Sequence, residues 1–439
     1  MSSRNPMVRT SAPWKLVSLS EACSLVSRGT APSYVEAGDV RAIGQRCVSK
    51  SGFAPKFARF HDFKPGARCL EAEPNDVLLN STGTGTIGRS CVFPGGGHFI
   101  VDGHVTVLRP GPELDARWLE ANLRHPDGQR HLEVSCYSGS TNQVELSRTA
   151  LAGSSICLPP LPEQQLIASI LDTVDEVIRK TEEVIAKLQQ MKQGLLHDLL
   201  TRGIDDNGEL RDPDRHPEQF KDSPLGRIPK DWEVGGLLDV GCQERQPILT
   251  GPFGAQLGSA DFVDTGVPLL RIGNVQWGYL DLGDLKHVTP RKAESLSKYR
   301  VEVGDLLFAR QGATTGRNAL ASQNADGFLI NYHIIRVAFD RAKCHPTFIY
   351  AVFNSPIVQR QVDREKGRST REGVSTGTLT SLLLPIPSVS EQDRLAHALE
   401  RLDLRVGSEQ AELAKLRLLK SGLMDDLLTG RVRVTDLLP

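Results

Sequence analysis

Nothing in this chain pairs its cysteines. The 8 cysteines are scattered singly over 439 residues, without a C-x-x-C pair and without histidines at zinc spacing, which excludes a disulfide scaffold and the usual structural zinc sites. No apolar run approaches the ~20 residues of a membrane helix, and the N-terminal stretch MSSRNPMVRTSAPWKL lacks the apolar core of a signal peptide. Free thiols, no metal and a cytoplasmic location are the expectation. Excess charge is missing too: 52 basic against 53 acidic residues leave a net charge of −1. Any contact with nucleic acid must therefore come from local patches. The length is too great for one ordinary domain and suggests about three units.

Motifs of catalysis are also absent. There is no G-x-S-x-G elbow and no H-E-x-x-H pair. Methyl transfer to adenine would call for Asn/Asp-Pro-Pro-aromatic, yet the only Pro-Pro, Pro159-Pro160, sits between leucines. Gly83-Thr84-Gly85-Thr86-Ile87-Gly88 matches the dinucleotide fingerprint, and with Arg89-Ser90 it resembles a P-loop carrying arginine in place of lysine. Both motifs need a helix to follow, whereas Cys91-Val92-Phe93-Pro94-Gly95 reads as strand and turn. A tight Gly-rich turn is expected here. His104 and His333 lie in matching apolar runs and read as scaffold histidines of strands. No catalytic residue is assigned, and the chain is expected not to be an enzyme.

What the chain has is a long repeat. Residues 162–202, PEQQLIASILDTVDEVIRKTEEVIAKLQQMKQGLLHDLLTR, return at 390–431, SEQDRLAHALERLDLRVGSEQAELAKLRLLKSGLMDDLLTGR, with a constant offset that matches Glu163 to Glu391, Gln164 to Gln392, Asp175 to Asp403 and Lys192 to Lys420. Apolar residues alternate steps of four and three: Ile167, Leu171, Val174, Ile178, Ile185 and Leu188 in one copy, Leu395, Leu399, Leu402, Val406, Leu413 and Leu416 in the other. This is a heptad seam, and each copy is expected to form a helix on the order of 60 Å long. Ile170, Val177, Val184 and Met191 widen the first stripe. Thr181 and Glu409 interrupt the two seams near their middles, so an antiparallel coiled coil with Thr181 opposite Glu409 is predicted; the open alternative is that each seam packs only on its neighbouring domain.

The segments between the helices echo one another. Asp76-Val77-Leu78-Leu79 is matched by Asp305-Leu306-Leu307-Phe308, Ile43-Gly44 by Ile272-Gly273, Ser140-Thr141 by Ser369-Thr370 and Leu158-Pro159 by Leu384-Pro385. The residues between these scaffold positions differ. Such a pattern suits helices that meet one partner twice and domains that meet two targets. The boundaries read as a first domain 1–157, a helical spacer 158–202, a Gly/Pro/Asp-rich surface linker 203–231, a second domain 232–383, a second spacer 384–431 and a tail 432–439.

Polar loops and basic patches are the candidates for DNA contact, because arginine reads guanine, Asn and Gln read adenine, and Ser, Thr and Lys hold phosphates. They are Lys56, Arg59, Asn80, Thr82, Thr84, Arg89 and Asn142 in the first domain, and Arg271, Asn274, Arg310, Gln311, Thr314, Arg317, Arg368, Thr370 and Arg371 in the second. Solvated charge runs and ordinary polar turns are the competing reading of each.

The repeated EQ…ILD…D…K…GLL-x-DLLT helix signature, GDLLFARQGATTGR, GRST and TRGIDDNG…GRIPKDW together resemble the DNA specificity subunit of type I restriction-modification systems, over nearly the whole chain. The resemblance implies a mixed α/β (α+β) fold: two target recognition domains separated by two conserved helices that pair antiparallel, with pseudo-two-fold symmetry. It implies that each domain reads one half of a bipartite, asymmetric site in double-stranded DNA, with the helices as a ruler between the halves. It further implies two adenine-specific DNA methyltransferase subunits on the helices, restriction/translocase subunits beyond them, and S-adenosylmethionine, ATP and Mg on those partners and not on this chain. Asn75-Asp76 in place of the second domain's Gly304-Asp305 departs from the repeat. A DNA-binding scaffold of another defence system, and a nucleotide-binding enzyme built on the Gly83 loop, are the alternatives.

Overall fold

The computed structural model describes residues 6–64, 66, 68–139, 144–366 and 373–438. The chain divides into two compact units, Met1–Glu183 with Gln410–Pro439 and Val184–Glu409. The division cuts across both long helices, Leu161–Thr201 and Val389–Leu428, so each unit holds one α/β domain, the start of one long helix and the end of the other. These units differ from the boundaries read off the sequence, which kept each helix whole.

In the first unit a four-stranded antiparallel sheet runs in the order Cys23–Arg28, Val105–Pro110, Val77–Asn80, Ser90–Val92. A three-stranded sheet, Arg59–Phe60, Val40–Ile43, His98–Val101, has its last two strands parallel. Lys15–Ser18 pairs with Ser155–Leu158 and brings the domain's two ends to the start of the helix. The stretch WKLVSLSEACSLV, expected as one amphipathic start, is strand, a single capped helical turn Leu19–Ala22, and strand again. Ala116–Arg124, capped by Asp115, presses Trp118 and Leu119 into a core with Leu79, Ile156, Ile167, Leu171 and Leu427. Close-packed interiors of this kind dominate stability.

The second unit repeats the plan. Its four-stranded sheet is Ile248–Thr250, Ile334–Val337, Leu306–Ala309, Asn318–Leu320, and its second sheet is Phe262–Val263, Lys286–Val288, Val267–Leu270, Leu329–Ile330, again with a parallel last pair. Glu233–Gly236 pairs with Leu383–Ile386, and the helix Pro346–Phe353 supplies Phe348 and Phe353 to a core with Leu199, Leu395 and Leu399. Residues 203–231, expected as a surface linker, are built into this unit: Phe220–Ser223 and Gly226–Pro229 form a hairpin, and Ile204 and Ile228 are buried. The expected tail likewise belongs to the first unit's core through Val434.

Within each unit the two helix segments run antiparallel, and the repeat makes the same ion pair twice. Asp175 meets Lys420 at 2.5 Å in the first unit, and its counterpart Asp403 meets Lys192 in the second. Ion pairs that solvent still reaches contribute little energy, and these two mark the register. Carrying the register six residues on from Asp175 brings Thr181 level with Ala414 beside the buried Leu413 in the first unit; Thr181 bonds back to Val177 of its own helix, and Glu409, in the second unit, pairs with Arg405. Ile167, Leu171, Ile185, Leu395, Leu399 and Leu413 are buried along the seams, and Val174, Ile178, Leu188, Leu402, Val406 and Leu416 are half-buried.

The Glu-Gln dipeptide that opens each helix copy is buried and anchors it. Gln164 accepts the amide of Asp115 at 2.9 Å and donates to the carbonyls of Glu113 and Pro159. Gln392 does the same with His345, Lys343 and Pro387. Glu163 takes Arg433, and Glu391 takes Arg211. Asn75 (φ 70°) and Gly304 (φ 87°) share the left-handed region. Asparagine is one of the few side chains that enter it readily, so the departure from the repeat conserves the turn.

Candidate DNA-recognition surfaces

Strand register places the candidate loops of each unit at one end of its four-stranded sheet. In the first unit Arg28 pairs with Thr106 and Asn80 with Val105, so the segments 29–34, 81–89 and 103–104 leave the sheet together. In the second, Thr250 pairs with Ile335 and Ala309 with Ile334, which gathers 251–253, 310–317 and 332–333.

The Gly83 loop is a hairpin connection between two antiparallel strands, with Gly83, Gly85 and Gly88 at φ 95°, 79° and 81°. Thr86 and Ile87 bond back to the Gly83 carbonyl, both at 3.0 Å. No helix follows, so the amides do not form the helix N-terminus that a pyrophosphate requires. His104 and His333 are turn residues at the mouths of their sheets, not strand residues; Ser81 N and Arg310 N donate to their carbonyls at 2.9 and 3.0 Å.

A chain of contacts joins the first unit's candidates. Arg59 lies 3.6 Å over the ring of Tyr34, Tyr34 donates to Asp102 at 2.8 Å, Asp102 accepts the His104 amide at 2.9 Å, and His104 Nδ1 stands 2.8 Å from Thr82 Oγ1. Burial and the Asp102 bond push the Tyr34 hydroxyl up to about 12, so it stays a donor at neutral pH. Thr84 is exposed at the loop tip, and Lys56 is exposed beside Phe57. A cleft of about 860 Å³ between this loop and Glu133, Tyr137 and Glu145 opens beside His104.

Two candidates are withdrawn by their surroundings. Asn80 is fully buried, its amide spent on the Gln45 carbonyl at 3.1 Å. Asn274 is buried and folded onto the carbonyls of Asp281 and Asp284. Neither side chain is presented at the surface of its loop. Thr82 is nearly buried and Arg89 braces its own loop through the Gly85 carbonyl, while Arg271 is held by Asp284 at 2.8 Å. Asn142, Arg368, Thr370 and Arg371 lie outside the described residues.

In the second unit Arg310, Gln311, Thr314 and Arg317 occupy one turn. Arg310 stacks 4.8 Å from the Tyr332 ring centre, with its Nε buried and without a hydrogen-bond partner among the described residues, and Arg317 donates to Gln276 at 2.7 Å. Sequence reasoning missed the aromatics around them: Phe253, Trp277 and Tyr279 are all more than half exposed. The signal was an aromatic in a Gly/Pro-rich loop, which composition alone does not distinguish from a core residue.

The profile of the type I restriction-modification DNA specificity domain matches residues 60–190 and 229–418. The chain belongs to that family. Its relatives include the provisionally assigned type I restriction enzyme MjaX specificity subunit of Methanocaldococcus jannaschii, 25% identical across 79% of this chain and 76% of that protein. The EcoBI specificity subunit of Escherichia coli is 23% identical, covering 80% and 76%. The fold is shared with the S subunit of a type I system from M. genitalium, at a TM-score of 0.58 and 13% identity over 96% and 98% of the two chains.

As a specificity-family member the chain is a DNA-recognition component. Among the described residues no helix is long and apolar enough to cross a membrane, and no group of three His, Cys, Asp or Glu is placed to hold a metal.

Proposed function

We propose that this specificity subunit reads the two halves of a bipartite, asymmetric duplex-DNA site, one half with each sheet-end loop cluster, and that its long helices bind two adenine-specific methyltransferase subunits. The observation that carries this reading is the contrast inside each unit: helix junctions built from the same Glu-Gln pair and the same Asp–Lys bridge, and loop ends built from different side chains. Equal helices suit one partner met twice, and unequal loops suit two half-sites. In support, Leu419 in the first unit and its repeat counterpart Met191 in the second are exposed to nearly the same degree, 53% and 55%, as identical apolar docking points would be. Duplex DNA would be held by phosphate contacts from Lys56 and Arg59 and read by Arg310, Gln311 and Arg317. S-adenosylmethionine, ATP and Mg, with any restriction/translocase subunit, belong to the partners in this reading.

The test is co-expression of the full chain with its methyltransferase and mapping of N6-methyladenine on plasmid DNA. A two-part motif is expected, and Arg310→Ala should relax one half only, by about 1–3 kcal/mol of discrimination at the affected base. Relaxation of both halves together, or a continuous motif, would refute the assignment of one half to each unit.

A further inference from the structure

The two loop ends differ most sharply at two positions. Gly29 and Gly251 are structural equivalents: their amides bond to Val105 O and Ile334 O at 3.0 and 3.1 Å, and a Cβ on either would collide with a carbonyl of the neighbouring segment. Two residues on, the first unit has Ala31 and the second Phe253; before the matching histidine, the first has Gly103 and the second Tyr332. Phe253 and Tyr332 stack edge to face at 4.7 Å, with the Arg310 guanidinium on the other partner of the pair. Phe253 remains 66% exposed. An aromatic residue held by a neighbour and left uncovered beside Arg310 and Gln311 matches the mixed apolar and hydrogen-bonding edge of a base pair, and the apolar feature of the major groove is the thymine methyl group.

Resting on the function proposed above, we propose that Phe253, braced by Tyr332, is a specificity-determining contact of the second unit to a thymine methyl in its half-site. The first unit, with Ala31 and Gly103, carries no aromatic pair at the equivalent positions.

The experiment uses the full chain in complex with its methyltransferase and duplexes of the mapped motif in which each thymine is singly replaced by uracil. Wild-type affinity should fall roughly fourfold at one position of one half, the factor that burying one methyl-sized group brings. Phe253→Ala should bind the thymine duplex that much more weakly and ignore the replacement, and Phe253→Leu should keep part of the preference. Equal wild-type binding at every position, undiminished binding by Phe253→Ala, or weakened binding that still discriminates uracil would each overturn the contact. A wild-type complex that methylates no two-part motif would instead sink the reading beneath it.

Discussion

The two helix junctions bury the same glutamate and satisfy it unequally. In the second unit Glu391 accepts Arg211 at 2.6 and 3.2 Å, the Ile204 amide at 2.9 Å and the Trp232 indole at 3.0 Å, and the Arg211 side chain is 11% exposed. In the first, Glu163 accepts, among the described residues, only Arg433, at 2.6 and 2.8 Å, whose side chain is 33% exposed. Trp14, the counterpart of Trp232, leaves its buried indole nitrogen without a partner among the described residues. Connectivity explains the difference. Residues 203–232 join helix end to domain continuously in the second unit and supply every donor. In the first unit the same place is filled by two segments far apart in sequence, 7–14 and 429–434, held by bonds such as Ser11 N to Thr429 O at 2.9 Å. A repeated motif is therefore no guarantee of repeated strength; the covalent path around it matters.

Removing a carboxylate from either junction should break this comparison most visibly. Glu391→Ala breaks the buried pair with Arg211, which keeps only the exposed Asp231 as an acidic partner among the described residues, strips the Trp232 indole and the Ile204 amide of their acceptor, and should cost on the order of 3–5 kcal/mol. Faster hydrogen exchange in Glu233–Gly236 and Leu383–Ile386 is the measurement, and unchanged protection there would contradict the anchoring role.

Arg433→Ala should be milder, about 1–3 kcal/mol, because solvent already reaches this arginine and can hydrate the carboxylate it leaves. The loss should fall on Lys15–Ser18 and Ser155–Leu158, read by the same exchange experiment. A penalty equal to that of Glu391→Ala would mean the two junctions are equivalent after all.

A third contrast depends on pH. The fifth residue of the domain helix is Glu120 in the first unit and Tyr350 in the second. Burial pushes the Glu120 carboxyl up to about 7 from an ordinary 4.5, against the pull of Arg124, the Ser90 hydroxyl and Lys420. Between those values the folded unit keeps a proton that the unfolded chain releases, so stability falls as pH rises through the window and is lowest above 7. Glu120→Gln should remove that loss, raising stability by up to roughly 3 kcal/mol at alkaline pH and leaving it unchanged near pH 4. Thermal unfolding across this range checks it; a pH-independent gain would point to packing alone.

Much of the frame was legible in the residues. Heptad spacing is local, so it announced two long helices, and the constant offset between copies announced two similar domains. Polarity misled where burial decided: Asn80 and Asn274 have the right chemistry for adenine and spend it on backbone carbonyls. Apolar spacing alone leaves a helix pair free to slide by whole turns, and inside each unit the repeated Asp–Lys pair marks the register that spacing does not fix.

By itself, then, the sequence determined the helices, the duplicated plan, the Gly83 turn and the absence of catalytic motifs, all of which follow from neighbours a few residues apart. Tertiary structure alone decided that Glu163 meets Arg433, that residues 203–231 belong to a core, and that Phe253 stands uncovered beside Arg310. Those contacts join residues far apart in the chain, and burial there depends on what the rest of the fold brings alongside.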